Sequence, residues 1–409
     1  MAQPIRMAYL VSQYPAISHT FILREVLALR KLGFDINVAS INPVDRPAEK
    51  LTQEEREETA RTFYLKNVSL VRALSDNAFA FLRSPIRYTQ SLLWALKLGK
   101  PDLKRMLYGF FYFVEAVLLA GWMRKNEASH LHVHFATPAS MVGLIASKLT
   151  RASFSITVHG PDEFYDVSQY QLPAKISGCS FLCSISEFAR SQLMKLSAVK
   201  EWAKFEVTPL GVDPDKFPPK PVKPDNGHFE ILCVGRLVPA KGQHILIRAL
   251  DLIVKNGGNA LLRFVGDGPD RRSLEELATS LGIADRTAFE GSVNQDRILT
   301  FYNQADVFVL PSFAEGVPVV LMEAMSVQLP CVTTRITGIP ELIRDGIDGL
   351  LVTPSDHVEL AQMIERLMKE PGLARRLGIA GRQRVKANYD LTANTARLAE
   401  VFRRRLCAG

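Results

Sequence analysis

Apolar positions in the amino-terminal part of the chain form short continuous runs separated by stretches with helical spacing. Residues 6–11 form one run, residues 20–32 have helical spacing, and residues 35–40 form a second run after Gly33. Continuous apolar runs joined by a helix predict parallel strands buried on both faces. We therefore predict a doubly wound α/β domain that binds ligands at the carboxyl ends of its strands. The first loop has no G-x-G-x-x-G pattern, so no phosphate site is expected there.

The same pattern starts again after residues 208–227, the most proline-rich stretch of the chain. Proline-rich, polar segments are typical of domain boundaries. We predict one Rossmann-like domain over residues 1–215, a second over residues 216–385, and a final helix over residues 386–409 that packs back on the first domain.

Composition and net charge limit the classes of molecule that the protein is expected to bind. The chain has 409 residues, of which 47% are hydrophobic, enough for two ordinary cores. Its net charge of +8 favours anionic partners, but basic and aromatic residues do not interleave, so no nucleic acid is expected.

The five cysteines form no C-x-x-C pair, which predicts reduced, buried thiols in a cytoplasm. Arg6 interrupts the first apolar run, so no secretory signal is expected.

Residues 68–125 have the apolar spacing of three helices, and residues 106–123 form a long apolar segment with Glu115 inside it and basic residues on both flanks. The segment barely reaches spanning length, and a central carboxylate costs about 2–3 kcal/mol on insertion into a bilayer. A helix packed in the first core is the favoured interpretation. A helix that also contacts an anionic membrane surface and a spanning helix stay open.

Two carboxylates, Glu315 and Glu323, occupy a strand–loop–helix junction. Residues 305–310 predict a buried strand, and residues 319–326 predict the helix. Gly316 lets the backbone approach a ligand, and the start of the helix offers free N–H groups and a positive dipole to a diphosphate. A carboxylate can accept two hydrogen bonds from a vicinal diol, which suits a sugar nucleotide. In the alternative interpretation, Glu315 caps the helix and Glu323 is a solvated helical residue.

Two basic residues follow the first strand of the second domain. Arg236 and Lys241 lie where a buried strand leads into a helix, and together they could neutralise a diphosphate from two directions. The alternative is a pair of solvated basic side chains. In the first domain, His159 follows the strand predicted over residues 155–158 and could project into a cleft, or it could bind a backbone carbonyl.

Three histidines alternate along one predicted strand, at positions 130, 132 and 134. Alternation places all three imidazoles on one strand face. Such a set can bind zinc, but a zinc site needs a further ligand. A packed strand is the favoured interpretation, and no metal site is expected.

Taken together, these motifs resemble the retaining glycosyltransferases of family 4, which have the GT-B fold of two doubly wound Rossmann-like domains facing across a cleft. The matching elements are the Glu-x7-Glu spacing of Glu315 and Glu323, the Gly-Ile-Pro-Glu segment at residues 338–341, and the GRL-x3-KG pattern at residues 235–242. Residues 14–33 are similar to the opening of glycosyltransferases that build exopolysaccharides of the colanic-acid type.

The sequence departs from the family pattern at Gln328 and Thr337, where the family usually has glycine. The change at Gln328 is expected to alter only the end of the helix. The change at Thr337 lies closer to the donor phosphates and leaves that loop's contacts open.

The resemblance implies a role for each matching residue. Glu323 would hold the ribose, Glu315 the sugar hydroxyls, and backbone groups near Ser292 and Val293 the base. For Thr20, a helix cap is the favoured alternative. The implied catalytic residues are His159, Glu315, Arg236 and Lys241; the donor-binding residues are Arg236, Lys241, Ser292, Val293, Gly316, Val317, Pro318, Val319 and Glu323; the acceptor-side residues are Ser18, His19, Thr20 and Asp162.

The resemblance implies a retaining hexosyltransferase that moves a sugar from a nucleotide-diphosphate sugar to a saccharide or lipid-linked saccharide acceptor. The resemblance implies exopolysaccharide or cell-surface glycan biosynthesis in the cytoplasm, with peripheral contact at the inner membrane face and no metal or cofactor. Two alternatives stay open: a sugar phosphorylase of the same fold, which would use phosphate as acceptor, and a non-catalytic nucleotide-sugar-binding subunit.

Overall fold

The computed structural model describes residues 5–99, 101–221, 227–293 and 295–407, without the side chains of Ser18, Gln295 and Asp296. The chain forms two compact units. The first comprises Met1–Thr208 with Thr395–Gly409, and the second comprises Pro209–Asn394. The domain limit placed at residue 215 from the sequence thus falls inside the second unit.

The first unit is built on a parallel sheet of seven strands in the order β3-β2-β1-β4-β5-β6-β7. The strands are β1 (Arg6–Gln13), β2 (Asp35–Asn42), β3 (Phe63–Tyr64), β4 (His130–His134), β5 (Ser153–Val158), β6 (Phe181–Ser184) and β7 (Phe205–Val207). The helices that precede the second unit are α1 (Thr20–Lys31), α2 (Gln53–Arg61), α3 (Leu70–Arg83), α4 (Pro85–Lys97), α5 (Leu103–Lys125), α6 (Pro138–Thr150), α7 (Asp162–Tyr165), α8 (Leu172–Gly178) and α9 (Glu187–Lys195).

The second unit is built on a sheet of six strands in the order β10-β9-β8-β11-β12-β13, also parallel. Its strands are β8 (Phe229–Val234), β9 (Ala260–Val265), β10 (Thr287–Phe289), β11 (Val307–Leu310), β12 (Cys331–Thr334) and β13 (Leu350–Val352). The remaining helices are α10 (Gln243–Lys255), α11 (Arg271–Ser280), α12 (Gln295–Gln304), α13 (Val319–Ser326), α14 (Ile339–Leu342), α15 (His357–Lys369), α16 (Pro371–Asn388) and α17 (Leu391–Cys407). The predicted fold class, two doubly wound Rossmann-like domains, is confirmed.

The end of the chain belongs to the first unit. On α17, Leu398 and Phe402 are buried in the same cluster as Met7 and Tyr9 of β1. Burying a leucine or phenylalanine side chain stabilises a fold by roughly 1.5–3 kcal/mol. The final helix therefore covers one face of the first sheet.

Helices α3, α4 and α5 confirm the three helices predicted over residues 68–125. The carboxy-terminal half of α5 is in the core, where Phe113 and Val117 are buried, whereas Leu103 and Phe111 in its first half are 81% and 52% exposed. Among the described residues, α5 is the one helix long and apolar enough to cross a membrane, but 44% of its apolar window is buried within the protein. Burial also raises the pKa of Glu115. The predicted packing of this helix in the core of the first domain is therefore found in the second half of α5 only.

Residues 42–58 are rich in proline and charged residues, a composition that predicts a solvated connection or a frayed helix. This prediction is wrong, because Thr52 and Glu55 form a capping box at the start of α2. Glu58 is only 2% exposed and accepts hydrogen bonds from Tyr14 Oη at 3.0 Å and Arg30 at 2.5 Å. The Thr-x-x-Glu spacing was the sequence signal for this helix.

All five cysteines are free, and only Cys407 is exposed. Burial raises the pKa of Cys183 and of Cys233 to about 12. These thiols are therefore protonated and unreactive at neutral pH.

In both sheets, strands are added first on one side and then on the other side of the first strand. The reversal lies between β1 and β4 in the first unit and between β8 and β11 in the second. Loops after such neighbouring strands diverge and leave a crevice at the carboxyl edge, where doubly wound proteins bind ligands. Each unit thus has one position at which a site is expected.

Candidate active site

In the second unit, Lys241 and Glu315 meet at the reversal point. Lys241 follows β8, Glu315 follows β11, and Lys241 Nζ lies 2.5 Å from Glu315 Oε1. Ser312 Oγ donates to the same oxygen at 2.7 Å. Glu315 is only 8% exposed, so its charge is held by these two partners and not by water. One buried carboxylate oxygen is thereby fixed by a lysine and a hydroxyl.

The loops that carry these residues are locked together by backbone contacts. Gly242 has a φ of 62°, and a Cβ atom there would lie 2.3 Å from the carbonyl oxygen of Pro311. The N–H of Phe313 donates to the carbonyl of Ala240 at 2.8 Å. Only glycine permits this approach, which explains the glycine after Lys241.

Thr337, one of the two departures from the family pattern, ties a third loop to Glu315. Its Oγ1 donates to the carbonyl of Glu315, although its φ of 44° is one that glycine adopts more readily. Next to it, Gly338 packs so tightly that a Cβ would lie 2.6 Å from the carbonyl oxygen of Gly316. A glycine at this position would adopt the backbone conformation more easily, but it could not form this hydrogen bond. The threonine therefore connects its own loop to the Glu315 loop.

Helix α13 starts beside this loop and carries Glu323. Its N-cap residue, Pro318, makes no side-chain capping bond, and the N–H of Leu321 donates to the carbonyl of Pro318 at 3.2 Å. Glu323 is 6% exposed and accepts a hydrogen bond from Tyr302 Oη at 3.1 Å. The alternative in which Glu315 caps the helix and Glu323 is solvated is therefore wrong.

Arg236 and residues Ser292 and Val293 lie on neighbouring loops of the same edge. Gly266, after β9, has its N–H bonded to the carbonyl of Gly291 at 2.9 Å. A Cβ at Gly266 would lie 2.0 Å from the carbonyl oxygen of Gly235, directly before Arg236. The Arg236 side chain is exposed and forms no ion pair within the described ranges. The loops after β8, β9 and β10 therefore lie close together. The side chain of Arg236, on the first of these loops, is available to bind an anion.

In the first unit, His159, His134 and Glu25 form a buried chain. His134 Nδ1 lies 2.9 Å from His159 Nε2, and His134 Nε2 lies 3.1 Å from Glu25 Oε1. Tyr9 Oη donates to the same oxygen at 2.9 Å. The carboxylate accepts, so His134 Nε2 carries the proton, and His134 Nδ1 accepts from His159 Nε2–H. The remaining nitrogen of His159, Nδ1, is then a free acceptor.

That acceptor is buried. His159 is 6% exposed, and its Nδ1 has no hydrogen-bond partner in the described part of the chain. Burial and the neighbouring His134 lower the pKa of His159 well below its usual value, so the ring is neutral at pH 7. The ring of Phe135 lies 4.4 Å from the His159 ring and that of Phe21 lies 4.9 Å from it. An apolar pocket wall with one unpaired acceptor suits a hydroxyl of a bound ligand.

The other histidines of β4 are satisfied by neighbouring hydroxyl groups. His132 Nδ1 lies 2.7 Å from Ser155 Oγ, and His132 Nε2 lies 3.0 Å from Thr157 Oγ1. Glu25, His132 and His134 offer ligand atoms within 4.8 Å of one another, which a metal ion could use. However, hydrogen bonds account for both nitrogens of His132, as in the packed strand that the sequence favoured. Burial lowers the pKa of His130 to about 3.

The acceptor-side candidates lie on the loops after β1 and β5. The His19 ring lies 4.8 Å from that of Phe135, near His159. Thr20 is the first residue of α1, and its N-cap residue, His19, makes no side-chain capping bond, so the interpretation of Thr20 as a cap is wrong. Asp162 is exposed at the start of α7, and the side chain of Ser18 lies outside the described residues.

Glu163, beside Asp162, has a structural role. It is 1% exposed and accepts hydrogen bonds from the N–H groups of His159 at 2.6 Å and Gly160 at 2.8 Å, and from that of Ala136. Burial raises the pKa of Glu163 to about 7. Its carboxyl group joins the loops after β4 and β5 and thereby holds His159 in place.

Sequence reasoning missed Glu25, His134, Ser312 and Thr337 as site residues. Glu25 carried a signal, because it is a charged residue on the apolar face of α1 that Ile22, Val26 and Leu29 define. Thr337 stood out only as a departure from the family pattern, and Ser312 carried no signal, since its contact depends on how the loops meet.

Comparison with solved structures defines the fold. The chain is similar to a crystal structure of Anabaena Alr3699/HepE in complex with UDP-glucose, with a TM-score of 0.74 and 18% identity over 97% of this chain and 99% of that one. The fold is that of the GT-B glycosyltransferases, as the sequence predicted.

Comparison of sequences defines the family. Residues 215–384 match the family of glycosyl transferases group 1. The chain is 31% identical to the GDP-mannose-dependent alpha-(1-6)-phosphatidylinositol monomannoside mannosyltransferase of Mycobacterium tuberculosis, over 69% of this chain and 78% of that one. It is 26% identical to the amylovoran biosynthesis glycosyltransferase AmsK of Erwinia amylovora, over 98% of this chain and 100% of that one. The chain belongs to the group 1 glycosyltransferases, and the predicted resemblance to exopolysaccharide glycosyltransferases is confirmed.

Proposed function

We propose that the protein transfers a hexose from a nucleotide-diphosphate sugar to a saccharide or lipid-linked saccharide, with retention of anomeric configuration. The observation that carries the proposal is the site around Lys241 and Glu315, at the reversal point of a Rossmann-like sheet beside the uncapped start of α13. HepE, which shares the fold, binds UDP-glucose, and AmsK acts in amylovoran biosynthesis. On the basis of these similarities, we propose that the protein acts in exopolysaccharide or cell-surface glycan biosynthesis, at the inner membrane face.

The proposed mechanism stabilises the charge that develops on the leaving nucleoside diphosphate. Arg236, Lys241 and the N–H groups at the start of α13 are positive charges or dipoles that can act without a metal ion. When the donor binds, Lys241 shares its charge between the diphosphate and Glu315. Glu323 holds the ribose, and backbone groups near Ser292 and Val293 contact the base.

Glu315 acts as a positioning residue in this mechanism. A glycosidase-type nucleophile would instead attack the anomeric carbon through a carboxylate oxygen. The carboxylate of Glu315 is held at Oε1 by Lys241 and Ser312, and Thr337 holds the backbone carbonyl of the same residue, so this side chain has a fixed orientation. This supports a role in orienting sugar hydroxyls, with the acceptor attacking from the side of the leaving group and a diphosphate oxygen taking its proton.

Calorimetric titration with UDP, GDP and ADP in the presence of EDTA tests the donor site. We expect one nucleotide to bind, and Glu323→Ala and Arg236→Ala each to weaken its binding about 10–100-fold, because each removes charge-assisted hydrogen bonds worth roughly 1.5–3 kcal/mol. Glu276→Ala, at an exposed position on α11, is the matched control and should bind the nucleotide like the wild type.

If no nucleotide binds to the folded protein, the donor-site assignment is wrong. The phosphorylase alternative would then be tested by arsenate-dependent breakdown of a disaccharide.

A further inference from the structure

The first unit contains a cavity that the proposed transfer reaction does not use. Its volume is about 360 Å³, and its lining includes Arg83 at the end of α3, Arg87 at the start of α4 and Arg124 near the end of α5. A second cavity of about 300 Å³ shares Arg83 and Arg124. Arg124 precedes β4 and the lining residue Thr150 precedes β5, so the cavity lies at the amino ends of the strands, opposite to the edge that carries His159.

In the described part of the chain, the three guanidinium groups have no directly bonded counter-ion. Across the described ranges, none of them forms an ion pair or a side-chain hydrogen bond, and the described lining of the larger cavity contains no carboxylate. Asp76, which lines the smaller cavity, lies 3.7 Å from Arg72. Burial and the charge of Arg83 lower the pKa of Arg124, and the charge of Asp76 offsets only part of this effect. Three like charges held at one cavity repel one another, and a bound anion would relieve that repulsion.

The chemistry of the lining favours a phosphate group. A guanidinium presents a planar fork of donors that matches the oxygens of phosphate, and three of them can surround one phosphate. Ser84 and Thr150 add hydroxyl groups to the lining. A cavity of this volume is also in the range that holds a small ligand or a headgroup.

Exposed apolar side chains next to these arginines indicate the source of the phosphate. Leu82, directly before Arg83, is 78% exposed, and Ile86, directly before Arg87, is 71% exposed. Phe79 and Phe81 are 56% and 45% exposed, and no residue of α3 is buried. Apolar side chains interspersed with cations are typical of surfaces that bind anionic membranes, where the cations contact headgroups and the apolar groups enter the acyl boundary.

We propose that Arg83, Arg87 and Arg124 bind the phosphate of an anionic membrane lipid, with Leu82 and Ile86 inserted beside it. The site docks this unit on the membrane surface through the corner between α3 and α4. It requires no bond to be made or broken, and it does not depend on which nucleotide the second unit binds.

Sedimentation with phosphatidylglycerol-containing and pure phosphatidylcholine vesicles tests the site. Wild-type protein should bind the anionic vesicles, and Arg83→Gln/Arg87→Gln/Arg124→Gln should weaken this binding by about tenfold or more, since each cation near an anionic surface contributes to the attraction. The matched control is Arg272→Gln/Arg375→Gln/Arg376→Gln, which removes three exposed arginines from the second unit and should bind within about threefold of wild type. Leu82→Gln/Ile86→Gln should also bind about tenfold more weakly, because apolar insertion is lost.

Equal vesicle binding by the arginine variant and its control would overturn the proposal. If inorganic phosphate binds the wild type but not the arginine variant, while Leu82→Gln/Ile86→Gln binds vesicles normally, the site serves a soluble phosphate and the lipid assignment is wrong. Arg83→Glu, at an exposed position, replaces the triple variant if the latter does not fold. Nucleotide titration of each variant reports on the donor site separately, so failure of one proposal does not imply failure of the other.

Discussion

Lys241→Met is expected to lower kcat for sugar transfer by about 10³-fold, which makes it the most damaging single substitution in the second unit. Lys241 is the cation nearest to Glu315, and removing one preorganised group that stabilises transition-state charge typically costs about 10²–10³-fold in rate. Release of nucleoside diphosphate from the donor sugar, followed under saturating donor, measures the effect.

This substitution also leaves Glu315 buried without its partner, which would destabilise the unit by about 3 kcal/mol. The double variant Lys241→Met/Glu315→Gln removes that unpaired charge, so it should recover thermal stability without recovering activity. Lys255→Met is the matched control, because Lys255 also pairs with a carboxylate, Asp251 at 2.7 Å, but is 63% exposed. If the double variant regains both stability and activity, Lys241 acts on folding and not on transfer.

His159→Phe is expected to lower kcat/KM by about 100-fold while leaving nucleotide affinity unchanged. A phenyl ring fits among Phe21 and Phe135 but removes the unpaired acceptor at Nδ1. A ligand hydroxyl that is buried without the Nδ1 acceptor loses about 1–3 kcal/mol of binding free energy. Steady-state kinetics combined with nucleotide titration measures the two quantities separately.

His159→Gln should recover part of the lost rate, because its side-chain amide can donate to His134 and still present an oxygen acceptor. His228→Phe is the control, since His228 precedes β8 at the opposite edge of the second sheet. A wild-type rate for His159→Phe would show that this nitrogen has no ligand in the reaction.

The sequence predicted those elements that depend on local pattern. Helix α13 spans Val319–Ser326, as its apolar spacing indicated, and the strand–loop–helix order placed Arg236 and Lys241 at the carboxyl edge of a sheet. Both results follow from short-range rules on burial, turns and helix starts.

The contacts between loops could not be predicted in the same way. Lys241 and Glu315 lie on different loops, and their ion pair depends on β8 and β11 being neighbours in the sheet. The chain from Glu25 through His134 to His159 likewise joins α1, β4 and the loop after β5. A single sequence shows which residues occupy each loop end but not which loop ends meet.

The most direct test of sugar transfer with retention is to incubate the wild-type protein with UDP-, GDP- and ADP-hexoses in EDTA and to follow the products by NMR. We expect nucleoside diphosphate to be released from donors of one base, and the transferred or hydrolysed sugar to keep the anomeric configuration of the donor. A product of inverted configuration would contradict the retaining mechanism. Absence of release from a donor whose nucleotide binds would contradict the assignment as an active transferase.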